Sequence, residues 1–211
     1  MTVASSVLLS FAGVLALVDW AAVARNWAAV EYAAKPAATL AFLGAAATLD
    51  VPHGAQWALL MAALVCCAAG DVFLMLPRDA FVPGLASFAV AQVLFTASFA
   101  SGGLAAWRLV AGAAVVVPVA ALLARRFVAA LRRGGRGALV APVVVYLVVI
   151  SAMAIASVGA GRPVAIVGAV AFMVSDSFIA ESRFVAARRG FPVAIMATYH
   201  VALAGLVLGL A

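Results

Sequence analysis

Stretches of about twenty residues with hardly a charge recur from one end of the chain to the other. They lie near 3–20, 34–50, 56–77, 81–100, 107–124, 138–157, 162–180 and 192–210. About 20 mainly apolar residues is the length an α-helix needs to cross a bilayer. Lipid offers the backbone no hydrogen bonds, and a helix closes its own within a single segment. The expectation is therefore an all-α integral membrane protein of eight transmembrane helices, one polytopic domain over residues 1–211. Lys35 and Pro36 open the second stretch, and a proline suits a first helical turn. Only 9% of the 211 residues are charged. A soluble domain carries about a quarter, so this chain cannot clothe a water-facing globule.

The formal charge of +6 does not point to nucleic acid. Arg125, Arg126, Arg132, Arg133 and Arg136 sit between two apolar stretches, where basic residues set orientation and touch anionic headgroups. The expected partners are membrane lipids. Cys66 and Cys67 are adjacent inside an apolar run, which fits neither a disulfide framework nor a spaced metal pair. Cys67 shares a helical face with Asp71, and packing explains both thiols. No basic n-region precedes the first stretch, so it is expected to remain as a span instead of being removed as a signal peptide.

Against this background two carboxylates stand out, in "CCAAGDVFLML" (Asp71) and "FMVSDSFIAES" (Asp176). An ionisable residue at membrane depth is a functional candidate by default. The alternative is a helix-end carboxylate that reaches headgroup water or pairs with Arg78 or Arg183, two turns on, which can snorkel outward. Lys35, Tyr146, Tyr199 and His200 are expected in the halves of their spans nearest the same face, and Gln92 near the middle of the fourth. Together with Ser175, which precedes the second aspartate, they are the candidate substrate-binding residues. His200 also fits a core histidine bonded to a backbone carbonyl. Asp19 and Asp50 read as interfacial, His53 as solvated in a loop, and Met153 as packing on the face of Tyr146; Glu181 stays ambiguous. Gly70-Asp71-Val72-Phe73 echoes Ser175-Asp176-Ser177-Phe178, with Pro36 facing Pro142 and Gln92 facing His200. The echo fits a parallel 4+4 repeat of the kind transporters use, or a chance match between similar helices.

The chain has no GxSxG elbow, no HExxH and no Walker lysine loop. His53 and His200, expected at different depths, make a poor zinc site, so neither metal nor cofactor is expected. What remains is carboxylate acid–base chemistry in a desolvated pocket. "GDVFLML", the following "FVPGLASF" and the later "SDSFIA", with Lys35-Pro36 and the Tyr199 region, resemble the YhhN/TMEM86 family over the second to eighth spans. The chain departs from that family's pattern at Gln92, where relatives carry a histidine, and at His200, where a tyrosine or small residue is common.

The resemblance implies a lysoplasmalogenase that hydrolyses the vinyl ether bond of a 1-alkenyl lysophospholipid to a fatty aldehyde and a glycerophospho-base. It implies Asp71 and Asp176 as the catalytic pair, dividing the labour as glycosidase carboxylates do, with Lys35 or nearby arginines on the substrate phosphate. It also implies a place in a bacterial inner membrane. Buried aspartates and a parallel repeat equally suit a transporter or proton-coupled carrier, or a lipid-binding scaffold without turnover. Aldehyde release separates these readings.

Orientation follows from the thirteen Lys and Arg. The odd-to-even connections hold Arg25, Lys35, Arg78, the five clustered arginines, Arg183, Arg188 and Arg189, whereas the other face holds only Arg108 and Arg162. The positive-inside rule then puts both termini on the non-cytoplasmic side. Reporter fusions after Arg133 and at the C-terminus are expected to report opposite faces; a cytoplasmic C-terminus would refute this topology.

Overall fold

The computed structural model describes residues 1–76 and 78–210. Among these it contains eight α-helices, one short 3-10 turn at Gly137–Leu139 and no strand. The helices are α1 (Val3–Arg25), α2 (Ala28–Ala47), α3 (Ala55–Met75), α4 (Phe81–Ser101), α5 (Ala106–Arg133), α6 (Val140–Ala160), α7 (Pro163–Phe184) and α8 (Phe191–Leu208). Seven are long and apolar enough to cross a membrane. The eighth is α2, which carries Glu31, Lys35 and Pro36 in its first half. The expected third span ended on Pro77, which lies outside the described residues.

Consecutive helices pack as antiparallel hairpins, α1 on α2, α3 on α4, α5 on α6 and α7 on α8. The hairpins are joined through α4 with α6, α2 with α3 and α8, and α6 with α7, while α1 also reaches α8 and α5 reaches α7. The core draws on every helix, with Leu64, Phe95, Ile150, Met153, Phe172 and Leu203 almost fully enclosed. Valines and a tryptophan turn outward instead; Val3 is 84% exposed, and Trp107, Val110 and Val115 are nearly as open. Exposed apolar surface on this scale belongs against lipid.

Membrane helices gain little from burying apolar surface against one another, so small residues that permit close approach decide where they touch. The tightest contact joins α7 to α8. A Cβ on Gly168 would lie 2.7 Å from the Leu206 nitrogen, and one on Gly205 would lie 2.6 Å from the Gly168 Cα. Gly209, four residues beyond Gly205, faces Ala165 in the same way.

Three boundaries differ from the sequence expectation, each for a packing reason. Helix α5 runs through the arginine cluster to Arg133, because Phe127, Ala130 and Leu131 are buried against Phe81, Val143 and Phe184. At 1.5 Å per residue it is about 42 Å long, so its basic end reaches past a hydrocarbon core of about 30 Å. Helix α2 starts at Ala28, which places Lys35 in its second turn and Pro36 in its interior. There the proline deprives the carbonyl four residues earlier of its helical donor. Helix α1 runs on to Arg25, so Asp19 is not interfacial; it is fully buried where α1 meets α2 and α8.

Gly205→Val is expected to force α8 off α7 and lower stability by about 3 kcal/mol, the upper end for overpacking. Gly13→Val, at a site with open space around its Cβ, is expected to change little. Thermal unfolding of the two variants in detergent checks the contrast.

Candidate functional site

Helix α2 presents Lys35 and Thr39 one turn apart on one face, towards the end of α3 that carries Asp71. Asp71 is fully buried, as are Thr39, Lys35 and Tyr199 to within 5%. Its Oδ2 accepts hydrogen bonds from the Thr39 hydroxyl at 2.7 Å and from the Tyr199 hydroxyl of α8 at 2.7 Å. The Lys35 ammonium stands 3.3 Å from Oδ1, within ion-pair range but without hydrogen-bond alignment. One carboxylate thus ties α2, α3 and α8 together. An isolated charge here would cost several kcal/mol. An ammonium and two hydroxyl donors offset that.

Asp176 has a different environment. On α7, it accepts one short hydrogen bond from the Tyr146 hydroxyl of α6. Arg183, its alternative partner in the sequence reading, pairs instead with Asp79 at 2.5 Å and 2.7 Å and lies over the Phe81 ring. Arg78 is exposed and Asp71 turns to Lys35, so neither aspartate is a helix-end carboxylate held by the arginine two turns on. Asp71 and Asp176 lie near enough for their charges to interact.

Gln92, fully buried on α4, approaches the Tyr146 hydroxyl. Both its amide atoms are without a hydrogen-bond partner among the described residues. Buried amides are normally satisfied, so this one stands out. Gly70 lets α4 close in here, since a Cβ on it would fall 2.6 Å from the Phe88 ring. Phe88 in turn meets Tyr199 and Phe172 edge to face.

Several openings reach this cluster. An apolar pocket of about 50 Å³ abuts Asp176 and Tyr146 and is lined by Leu85, Phe88, Val143 and Phe184. A wider cleft, of about 370 Å³, is bordered by Glu31, Lys35, Ser182, Arg183 and Met196. Leu74, Phe81 and Ile179 line both. A charged mouth therefore adjoins a greasy pocket across three apolar side chains.

Of the candidate residues, Asp71, Lys35 and Tyr199 meet in one cluster, and Asp176, Tyr146 and Gln92 gather in a second beside it. Ser175 and His200 face elsewhere. The Ser175 hydroxyl donates to the Ile195 carbonyl of α8 at 3.0 Å. The His200 Nδ1 accepts from the Trp20 indole of α1 at 2.9 Å, so a neutral ring carries its proton on Nε2, and Phe42 stacks on it. Glu181 pairs with Arg126 at 2.5 Å and ties α5 to α7. Thr39 escaped the sequence reading, although its position one turn after Lys35 was a usable signal. Among the described residues, no three of His, Cys, Asp and Glu gather as a metal-holding group.

A family model described as the YhhN family matches residues 30–210. A protein named lysoplasmalogenase from Mycobacterium bovis is 34% identical over 169 residues, covering 78% of this chain and 65% of that protein. A second, with the same name and from Mycobacterium tuberculosis, matches to the same extent. Human lysoplasmalogenase TMEM86B is 31% identical over 151 residues, covering 72% of this chain and 62% of its own length. The chain thus spans a little under two thirds of the curated relatives it matches. No solved structure matches.

Lys35→Met is expected to leave Asp71 buried without its counter-charge and to lower stability by about 3–5 kcal/mol. Adding Asp71→Asn, which removes the orphaned charge, is expected to restore part of that. Unfolding midpoints of the single and double variants in detergent measure it.

Proposed function

This chain belongs to the YhhN family, and we propose that it hydrolyses the vinyl ether bond of a 1-alkenyl lysophospholipid. The observation that carries the reading is the pair of buried carboxylates in unlike surroundings beside an apolar pocket with a charged mouth. Asp71, with an ammonium and two hydroxyl donors, sits as a carboxylate does. Asp176, with one phenol donor and an apolar pocket in front of it, sits as a carboxylic acid does. Two carboxyls whose environments differ in this way divide into a general acid and a charge-bearing partner.

The reaction needs no more than that. The substrate lies with its headgroup in the cleft by Lys35 and its alkenyl chain in the pocket. Asp176 delivers a proton to the vinyl carbon distal to the oxygen, and the positive charge moves to the carbon bonded to oxygen. Asp71 stabilises that cation electrostatically. Water adds to the charged carbon, its lost proton restores a carboxyl, and the hemiacetal collapses to aldehyde and glycerol hydroxyl. The free amide of Gln92 suits the water, and Tyr146 fixes the Asp176 carboxyl through one oxygen while the other carries the proton.

The setting is part of the same reading. All eight helices cross the membrane, α2 with Lys35 turned inward to Asp71, and the arginine-rich end faces the cytoplasm. The chemistry then lies in the cytoplasmic half of the bilayer. The packing of α4 on α6 and α8 on α2 supports two four-helix halves related by a parallel repeat.

Purified protein given a 1-alkenyl lysolipid is expected to release fatty aldehyde, and to leave the matched acyl and alkyl lysolipids intact. Asp71→Asn and Asp176→Asn keep shape but not proton chemistry. Each is expected to lower aldehyde release at least a hundred-fold, within the range a positioned general acid supplies. Asp176→Asn is expected to keep an unchanged size-exclusion profile, and Asp71→Asn to lose some stability because the buried Lys35 loses its counter-charge. Near-normal turnover by Asp176→Asn would overturn the pair.

A further inference from the structure

On a helix surface, Glu and Lys four residues apart normally pair, their Cβ atoms roughly 5–6 Å from one another. Glu31 and Lys35 have that spacing on α2 and do not pair. Lys35 is drawn inward to Asp71 at 3.3 Å. Glu31 is left half-buried at the rim of the cleft. It has no ion-pair or hydrogen-bond partner among the described residues. The other cation at the rim, Arg183, is occupied by Asp79 through both carboxylate oxygens. The cleft therefore shows a visitor one uncommitted carboxylate, with the Lys35 ammonium one helical turn deeper.

That order of charges matches a particular class of headgroup. In a zwitterionic lysophospholipid the phosphate leads towards the glycerol and the ammonium lies outside it across a two-carbon bridge. A phosphate beside Lys35 would place the ammonium about one helical turn outward, at Glu31. A headgroup ending in glycerol or in bare phosphate would leave that carboxylate unmatched, and a second negative charge would be repelled by it. The cleft volume of about 370 Å³ falls in the range of sites for small organic ligands.

We propose that Glu31 is the residue by which this chain selects lysolipids whose headgroup carries an ammonium, through a subsite formed with Lys35 at the mouth of the cleft. The inference rests on the lysolipid reading above, whose product is a glycerophospho-base, and adds to it the residue that reads the base. Specificity of this kind is a difference of affinities, and the unpaired carboxylate supplies both the attraction and the rejection.

The test compares headgroups in two assays with protein in nanodiscs. Turnover is measured with 1-alkenyl glycerophosphoethanolamine, its choline counterpart and 1-alkenyl glycerophosphate. Binding is measured with the corresponding saturated alkyl ethers, which cannot be cleaved, by tryptophan fluorescence. The native chain is expected to favour both ammonium headgroups about ten-fold over glycerophosphate, chiefly in KM. Glu31→Gln is expected to bring that ratio close to one, and Glu31→Lys to invert it, an outcome that misfolding cannot imitate. An unchanged ratio in Glu31→Gln would overturn the proposal, as would a native chain with no headgroup preference. If no alkenyl lipid is cleaved yet binding still follows Glu31, the hydrolase reading fails and the headgroup subsite stands. Normal cleavage without Glu31 dependence has the opposite meaning.

Discussion

Inside a bilayer there is no water to satisfy a polar group, so each one must find its partner within the protein. That constraint accounts for the helices, which close their own backbone hydrogen bonds. It also accounts for the way they are assembled. Asp71 on α3 draws Lys35 and Thr39 from α2 and Tyr199 from α8. Asp176 on α7 draws Tyr146 from α6. Small residues set how closely helices approach, as at Gly168 and Gly205. The polar contacts set which faces meet.

The same constraint gives meaning to groups that are not satisfied. Gln92, Asp19 and the His200 Nε2 are buried without hydrogen-bond partners among the described residues. Gln92 lies beside the Tyr146–Asp176 pair. Asp19, fully buried on α1, has no hydrogen-bond partner for either oxygen among the described residues. Glu31 differs from all of these because it lies at the rim, where a ligand can reach it.

Much of the polar cluster was legible before the fold. Carboxylates at membrane depth are rare enough to be noticed singly, and Lys35, Tyr146 and Tyr199 were visible as polar residues at one depth. Depth, however, is a single coordinate. Tyr199 and His200 are neighbours in sequence and nearly equal in depth, but α8 turns one to Asp71 and the other to Trp20. Ser175 adjoins Asp176 and is spent on the α8 backbone. Asp19 was misread because hydropathy locates a span's apolar centre and not its end.

The sequence by itself determined the lipid environment, the helical class and which carboxylates lie within apolar helices. These follow from local composition and from the cost of placing a charge or a bare backbone in hydrocarbon. Tertiary structure alone decided the partners. It sent Lys35 to Asp71 instead of Glu31, gave Arg183 to Asp79, and set a charged cleft against an apolar pocket across Leu74, Phe81 and Ile179. Rotation of a helix about its axis costs nothing in hydropathy, because the lipid around it is as apolar as the core. Only contact between helices fixes it.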